Sequence, residues 1–297
     1  MPDFGIFRGF NEKLFGDKLY AGQLPTQLGL IGSESFGFIG LLDAYPTAAA
    51  AYSLRLLRSA YTGDAIRVRR ASDNTEQDIG FVDGELDTST LTFFCSGTNG
   101  FVKTWYDQSG NGYDATQITL ANQPQIVSSG SVILDNGKPS VEFDGSDDRL
   151  DLGNIISDYT NSDVDVFTTM TANSSTQVGV AYNLSDGTYV VGLSFNRIAG
   201  EVCGTNVRPT VSQRPGDSYN NVQSIYSLLT SKSQSYLYNN GIVNTKSSLS
   251  RSNLDNTIGS SNRHIPMKMQ EHIIYESDQS SNRTGIQENI NTYYSIY

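Results

Sequence analysis

The sequence predicts an all-β protein, a sandwich of the jelly-roll type with a short N-terminal helix, a C-terminal helix and an irregular N-terminal arm. The 297 residues include 28 glycines and 17 tyrosines but only 17% charged residues, which is typical of β-rich proteins with many turns. Short apolar segments alternate with clusters of Gly, Asn, Asp and Ser, as strands and their turns do. The sequence lacks a repeat of roughly 20–50 residues, which argues against a propeller or a solenoid.

The first 43 residues form a segment of a different kind, which we predict to be an anchoring arm ahead of a single domain at residues 44–297. The segment is rich in Phe, Leu and Gly but has neither the strand period nor the helical period. Because such apolar content is costly in water, the arm packs either on its own domain or on a partner. We favour docking on a partner or on sister subunits through Phe4, Phe7, Phe10, Leu14, Phe15, Leu19 and Tyr20.

The stretch "PTAAAAYSLRLLRSAYTG" predicts one helix over residues 47–60. Pro46 is suited to a first helical turn, and Ala, Leu and Arg are good helix formers. Leu54, Leu57 and Tyr61 recur at helical spacing, and Gly63 is a plausible stop.

The pattern after Gly63 is that of β-strands. "AIRVRRAS" alternates apolar and basic residues, as a half-buried strand does. Further predicted strands are "FVKTWY", "PSVEFDG", "RLDLG", "DVFTTMTA", "VGVAY", "TYVVGLSF", "SIYSLLT" and "MQEHIIYE".

Two elements near the C-terminus have clearer local signals. Asn240 and Gly241 separate two alternating segments in "YLYNNGIVN", which predicts a tight hairpin because both residues tolerate positive φ. The final "RTGIQENINTYYSIY" brings four apolar or aromatic residues onto one helical face, which predicts a closing helix on the sandwich. These residues are Ile286, Ile290, Tyr293 and Tyr294.

The net charge excludes some classes of partner, and the cysteine content indicates the state of the thiols. A formal net charge of −11 lacks the basic footprint of a nucleic-acid-binding protein and disfavours an anionic membrane surface. The N-terminus does not have the pattern of a secretory signal, and no apolar run approaches the ~20 residues of a membrane span. Cys95 and Cys203 cannot form a disulfide scaffold or close a zinc site by themselves. We therefore expect both to be free thiols and the protein to be made in a reducing cytoplasm.

The motif "KTWYDQSGNGYDATQ" is either a ligand loop or the corner of a sheet. The sheet corner is favoured, because Asp107 and Asn111 can bond backbone groups while Gly110 and Gly112 supply permissive φ. Trp105 is then a core residue more readily than a platform for a sugar.

Other candidate sites are weaker. Calcium prefers clustered oxygen ligands, but "FDGSDDRLDLG" lacks the spacing of a calcium loop and is better explained as a solvated turn. His264 and His272 have no metal-binding spacing. We therefore expect no metal and no cofactor. The acidic positions in question are Asp144, Asp147, Asp148 and Asp151.

"WYDQSGNGYDATQ" followed by "NGKPSVEFDGSDDRLDLG" resembles concanavalin A-like (LamG-like) jelly-roll domains. From "AYSLRLLRSAYTG" onward the chain more closely resembles the catalytic domain of α-L-arabinofuranosidase B, over roughly residues 45–297. That family hydrolyses terminal arabinofuranosides with two carboxylates, a nucleophile and a general acid.

An ungapped placement on that family puts serines where the carboxylates are expected. The nucleophile position falls on Ser194 in "SFNRIAG", and the acid position falls on Ser261 in "IGSSNRH". A serine hydroxyl supplies neither role at neutral pH, so the resemblance implies a protein without enzymatic activity. It also implies that Cys95 matches the first cysteine of a family disulfide, with Gly100 in the place of the second.

The arm "FGDKLYAGQLPTQLGLIGS" ahead of such a domain resembles virion structural proteins of tailed bacteriophages. This resemblance implies a non-enzymatic structural protein of the head, neck or tail, made in the host cytoplasm and located in the virion. Its expected partners are other virion proteins, bound through the arm, and host-surface or environmental glycans. We expect a homo-oligomer.

Two alternatives stay open, a glycan-binding module outside a virus and an active arabinofuranosidase-like hydrolase. The hydrolase would use carboxylates such as Glu201 with Asp217 or Glu271. The family resemblance also implies a concave saccharide-binding face. An aromatic ring and polar donors suit such a face. The candidates are Tyr189, Asn196, Arg197 and Asn262.

Overall fold

The computed structural model describes residues 38–158, 162–172, 179–185, 190–196, 201–204, 211–213, 223–230, 235–239, 242–244, 256–259 and 264–297. The helices in these ranges are α1 at Leu41–Ala44, α2 at Thr88–Phe94 and α3 at Arg283–Tyr294, with a short 3-10 turn at Leu120–Asn122. None of the helices described is long and apolar enough to cross a membrane.

Strands account for most of the regular structure. The first half of the chain contains β1 Ala50–Ser53, β2 Ile66–Arg70, β3 Glu76–Ile79, β4 Phe81–Val82, β5 Glu85–Leu86, β6 Gly100–Trp105, β7 Ala115–Thr116, β8 Gln125–Ser128, β9 Ser131–Val132, β10 Leu134–Asp135, β11 Lys138–Pro139 and β12 Val141–Asp144.

The second half continues with longer strands. They are β13 Arg149–Asp151, β14 Val164–Ala172, β15 Gly179–Ser185, β16 Val190–Asn196, β17 Glu201–Gly204, β18 Val211–Gln213, β19 Ser224–Thr230, β20 Ser235–Asn239, β21 Ile242–Asn244, β22 Thr257–Gly259 and β23 Pro266–Tyr275.

Strand β23 organises the antiparallel sheet. One of its edges pairs with β12 and then with β1, and the opposite edge pairs with β14 along nearly its whole length. Beyond β14 the sheet continues through β19, β20 and β21, and beyond β12 it continues through β8, β6, β2 and β3. Strand β22 lies in a second series, between β13 and β15, that extends to β16, β17 and β18.

Two apolar clusters cover the two faces of β14 and β23. Val166 and Ile274 belong to the larger cluster, which also contains Trp105. Their neighbours Phe167 and Ile273 point the other way, into a cluster completed by α1 and α3. Because both faces are covered, every residue of β14 is buried, and "DVFTTMTA" shows no clean alternation in the sequence.

The predicted all-β sandwich with a C-terminal helix is confirmed. Helix α3 buries Ile286, Ile290 and Tyr294, as its apolar face predicts. The predicted hairpin is also present, because β20 and β21 pair with Asn239 opposite Ile242.

The helix predicted over residues 47–60 is wrong. Strand β1 occupies Ala50–Ser53 and pairs with β23, with Ala50 opposite Ile274. Ala50, Ala51 and Tyr52 are fully buried there. Tertiary pairing with a buried strand therefore overrides the local helix propensity of the alanines.

Most of the predicted arm, including all seven of its docking residues, lies outside the described residues. At its described end, Leu41 and Leu42 are buried with α3 in the second cluster. The domain boundary at residues 43/44 and the docking of the arm on a partner stay predictions.

Candidate functional site

The loop at Asp107–Asp114 is a closed turn that joins distant parts of the chain. The buried Asp107 carboxylate accepts hydrogen bonds from the Ala51 amide at 2.8 Å, the Ser109 amide at 2.9 Å and the Ser109 hydroxyl at 2.7 Å. It also accepts one from the Tyr113 amide at 3.1 Å. Gly110 and Gly112 adopt positive φ of 95° and 79°. The structure therefore shows that the motif forms a sheet corner, with Trp105 fully buried.

Gln108 and Asn111 extend this corner to β1 and the segment that follows it. The fully buried Gln108 side chain accepts from the Leu57 amide at 2.8 Å and donates to the Ser53 and Arg55 carbonyls. Asn111 Nδ2 donates to the carbonyls of Ala48 and Ala49 at 3.1 and 2.9 Å. The two side chains thus fix the backbone on both sides of β1.

A cavity of about 1010 Å³ lies beside this corner, and we call it the loop cavity. Its described walls come from five places in the chain. They are Leu42, Asp43 and Pro46–Ala49, then Arg58 and Ala60, Ser109–Asn111 and Tyr113, Ile155 and Ser157, and Glu276. The cavity therefore depends on long-range contacts.

The charged groups of the loop cavity are Arg58, Asp43 and Glu276. Burial alone would raise the pKa of the Asp43 carboxyl, but hydrogen bonds from the Gly40 and Ser59 amides lower it below its ordinary value. Burial likewise opposes ionisation of Glu276, but the hydroxyls of Ser157 and Ser162 and neighbouring amides lower its pKa. Both carboxylates are therefore ionised at neutral pH. The Arg58 guanidinium donates from Nη1 to the Ser109 carbonyl at 2.8 Å.

The acidic cluster Asp144, Asp147 and Asp148 lies at the turn between β12 and β13. Its carboxylate oxygens lie within 4.8 Å of one another. Asp144 caps the amides of Ser146 and Asp147, and Asp148 accepts from the Asp144 amide at 2.9 Å. The cluster therefore forms a turn, as predicted, but Asp148 is buried rather than solvated, and Asp151 lies in β13.

Asp148 differs from its neighbours because it is only 8% exposed. Burial, reinforced by the charges of Asp144 and Asp147, raises the pKa of Asp148 to about 7, although the Asp144 amide opposes the shift. Asp148 directly precedes β13, and Arg149 lies opposite Gly259 of β22. A Cβ placed on Gly259 would lie 2.7 Å from the Asp148 carbonyl oxygen, which shows how closely the two backbones pack.

Two other predicted candidates are buried in the core. Glu271 is fully buried and pairs with Arg55 at 2.8 Å. His272 is fully buried, and its Nδ1 lies 2.8 Å from the Thr168 hydroxyl. Glu271 therefore has no access to a substrate and does not serve as a catalytic carboxylate.

Few of the other predicted site residues lie among the residues that the structure describes. Ser194 and Asn196 lie in β16, and Asn196 is opposite Glu201 of β17. The remaining positions lie outside the described residues. They are Tyr189, Arg197, Asp217, Ser261 and Asn262.

Sequence reasoning missed the loop cavity. Asp43, Arg58 and Glu276 were not candidate site residues, because Glu276 lies more than 200 residues from the other two and no local pattern links them. Ser109, Gly110, Asn111 and Tyr113 are the lining residues that belong to a motif considered as a ligand loop from the sequence.

The described fold defines an antiparallel β-sandwich protein with a polar cavity at one corner. The family model for alpha-L-arabinofuranosidase B, catalytic, matches residues 42–192, which is half of the chain. The chain belongs to this family.

Curated relatives agree over a shorter stretch. A probable alpha-L-arabinofuranosidase B of Aspergillus flavus is 38% identical over 97 residues, covering 30% of this chain and 19% of that protein. One of Aspergillus terreus is 33% identical over 117 residues, covering 37% and 21%. The chain thus matches about a fifth of the length of these relatives.

Solved structures support the same fold. An arabinofuranosidase complexed with arabinofuranosyl-α-1,2-xylobiose superposes with a TM-score of 0.60 at 17% identity, covering 84% of this chain and 64% of that chain. A mutant α-L-arabinofuranosidase soaked with 4-nitrophenyl α-L-arabinofuranoside gives 0.62 at 16% identity, with the same coverage.

These matches overturn the expectation of a non-enzymatic phage virion protein. The family and the relatives are arabinofuranosidases, and the relatives come from Aspergillus, so the virion function and location are wrong. The string that suggested a virion protein lies before residue 42, outside the matched region.

The conclusion that the protein is not an enzyme is also wrong, because the matched family is named for an enzyme activity. That conclusion depended on Ser194 and Ser261. The family match ends at residue 192, before both serines, so an ungapped placement of the two positions had no support there.

Proposed function

We propose that the protein is a glycoside hydrolase that removes terminal α-L-arabinofuranosyl groups from saccharides. The observation that carries this proposal is the match of half of the chain to the arabinofuranosidase B catalytic family. The superposition of 84% of the chain on arabinofuranosidases supports it. We also propose that the sandwich belongs to the concanavalin A-like group of jelly-roll domains.

Glycoside cleavage needs a carboxylic acid that protonates the leaving oxygen, and a second carboxylate that attacks or activates water. The acid must hold its proton near neutral pH. Asp148 meets this requirement with a pKa raised to about 7 by burial and by its acidic neighbours. It directly precedes β13, which pairs with β22.

We propose Asp148 as the proton donor. Glu201 and Asp217 are the candidates for the second carboxylate, because the buried ion pair removes Glu271 from consideration. The saccharide contacts proposed for Tyr189, Asn196, Arg197 and Asn262 belong to this hypothesis.

The test is hydrolysis of 4-nitrophenyl α-L-arabinofuranoside by the full chain from pH 4 to pH 8. We expect release of nitrophenol by the wild type and a loss of about 10²-fold or more in kcat for Asp148→Asn, the usual contribution of a general acid. Glu201→Gln and Asp217→Asn identify the second carboxylate.

The exposed Glu288→Gln is the matched control and should retain activity. Absence of turnover by the wild type across this pH range would refute the hydrolase proposal. Full activity of Asp148→Asn would remove only the assignment of the proton donor.

A further inference from the structure

We propose that the loop cavity binds a neutral oligosaccharide, with Tyr113 as the aromatic surface and with Arg58, Asn111 and Glu276 as the polar contacts. This site goes beyond the proposed hydrolase, because the proposed proton donor Asp148 is not among its described lining residues. Its volume of about 1010 Å³ lies at the upper end of the range for small-molecule sites.

The aromatic surface is held in place by its backbone. The Tyr113 amide donates to Asp107, and its carbonyl accepts from the Tyr52 hydroxyl. Within the described residues the phenol hydroxyl of Tyr113 has no hydrogen-bond partner. A fixed, half-buried ring with a free hydroxyl can stack on the apolar face of a sugar and still bond a sugar hydroxyl.

Arg58 and Glu276 also retain unused hydrogen-bonding capacity. Arg58 donates one hydrogen bond to the Ser109 carbonyl and forms no ion pair with any described carboxylate. Glu276 Oε1 accepts from the Ser157 amide and hydroxyl, the Asp158 amide and the Ser162 hydroxyl. Oε2 of Glu276 has no partner among the described residues. The cavity therefore presents both donors and an acceptor to a ligand.

Hydrogen bonds from Asn111 hold the wall between these groups. Thr47 adopts a positive φ of 72°, which is strained for a β-branched residue. The adjacent carbonyls of Ala48 and Ala49 are held by Asn111 Nδ2, which leaves Oδ1 of Asn111 as an acceptor. A preorganised wall lowers the entropy cost of binding.

The charge of the cavity selects for a neutral ligand. Arg58 contributes one positive charge, and the ionised Asp43 and Glu276 contribute two negative charges. An acidic saccharide would therefore meet net repulsion, and the charge of −11 on the whole chain adds to it. Sugar hydroxyls can donate to Glu276 and accept from Arg58 without burying a new charge.

Calorimetric titration of the full chain tests the inference. The probes are the neutral trisaccharides xylotriose, arabinotriose and maltotriose, with trigalacturonic acid as the acidic comparison. We expect at least one neutral probe to bind, and the acidic probe to bind about tenfold more weakly or worse.

Two variants assign the binding to the loop cavity. Ala60→Trp fills the cavity from an exposed wall position and leaves the core intact. Tyr113→Ala removes the aromatic surface. Both should weaken the affinity for the bound neutral probe by about tenfold or more. Ala71→Trp places the same side chain at an exposed position outside the lining and should bind like the wild type.

Failure to bind any neutral probe, or unchanged affinity in Ala60→Trp, would overturn the inference. Tighter binding of trigalacturonic acid would overturn its charge argument. The two proposals fail separately. A wild type that hydrolyses the aryl arabinofuranoside without cavity-dependent binding refutes only this inference, and one that binds without hydrolysis refutes only the proposed function.

Discussion

Arg55 and Glu271 form a bidentate ion pair in the interior of the sandwich, with Nε–Oε2 and Nη2–Oε1 distances of 2.8 and 3.0 Å. The Ser53 hydroxyl donates to the same carboxylate at 2.9 Å. The guanidinium also lies 4.6 Å from the ring centre of Tyr293 in α3. The pair therefore connects β1, β23 and the C-terminal helix.

Breaking this pair should be costly, because the remaining charge would be buried without a partner. We predict that Glu271→Ala lowers the free energy of unfolding by about 3–5 kcal/mol in urea denaturation. Glu76→Ala removes the partly exposed Lys103–Glu76 pair and should cost about 1 kcal/mol or less.

The double variant Arg55→Met with Glu271→Leu should recover much of the loss, because it leaves no unpaired charge. Equal effects of Glu271→Ala and Glu76→Ala would contradict the structural role assigned to the buried pair.

A cysteine at position 100 would be placed to form a disulfide with Cys95. A Cβ on Gly100 would lie 2.7 Å from Cys95 Sγ, with Val68 Cγ1 at 3.1 Å and Val127 Cβ at 3.2 Å. We predict that Gly100→Cys forms a disulfide with Cys95 in oxidised glutathione. The short loop it closes would stabilise the fold by roughly 2 kcal/mol, less any strain against the two valines.

Thiol alkylation after unfolding without reductant measures this bond. The wild type should react at both Cys95 and Cys203, and the oxidised variant only at Cys203. In the native state burial raises the pKa of the Cys95 thiol to about 11, so it should react slowly there. Gly100→Ser adds a similar side chain without the bond and controls for crowding. Three reactive thiols in the oxidised variant would disprove the pairing.

Asp148 should make stability fall as pH rises. Its folded pKa of about 7 is well above the unfolded value of 3.8, so between these values the folded state holds a proton that the unfolded state has released. The contribution of Asp148 to the free energy of unfolding should therefore decrease from about pH 4 to about pH 7, by a total on the order of 4 kcal/mol. Asp148→Asn should remove this slope in urea titrations, whereas Glu288→Gln should keep it.

His272 should produce the opposite slope. Burial lowers its folded pKa to about 3 from 6.5, so in this range the unfolded state binds a proton that the folded state excludes. The contribution of His272 to the free energy of unfolding should decrease as pH falls from about 6.5 to about 3. His272→Asn should remove this dependence in the same titrations.

Asp148 and His272 affect stability over overlapping pH ranges. Each single variant should therefore show the pH dependence that the other residue causes. Between about pH 4 and pH 6.5, stability should rise with pH in Asp148→Asn and fall with pH in His272→Asn. A flat profile for Asp148→Asn would show that the pKa shift of His272 is absent, and a flat profile for His272→Asn would show that the pKa shift of Asp148 is absent.

Local sequence patterns were sufficient to predict much of the fold. The alternation in "AIRVRRAS" predicted β2, and the apolar face around Ile286 and Ile290 predicted α3. The polar and glycine spacing in "DQSGNG" predicted the sheet corner, because these bonds and φ values arise within a few residues.

The function was less accessible to sequence reasoning. The resemblance to arabinofuranosidase B pointed to the family, but the carboxylate positions were placed beyond residue 192, where the family match ends. The Phe- and Gly-rich arm was given too much weight as evidence of a virion protein, because aperiodic apolar composition does not specify a partner.

By itself the sequence determined the β class, the turn at Asp107–Asp114 and the C-terminal helix, because each depends on spacing over a few residues. Tertiary structure alone decided that Ala50–Ser53 is a strand, since its pairing partner β23 lies more than 200 residues away. It also raised the pKa of Asp148 through burial, and it brought Arg58, Tyr113 and Glu276 around one cavity. Burial and cavity walls arise from contacts between distant segments, and the local sequence pattern does not encode which segments meet.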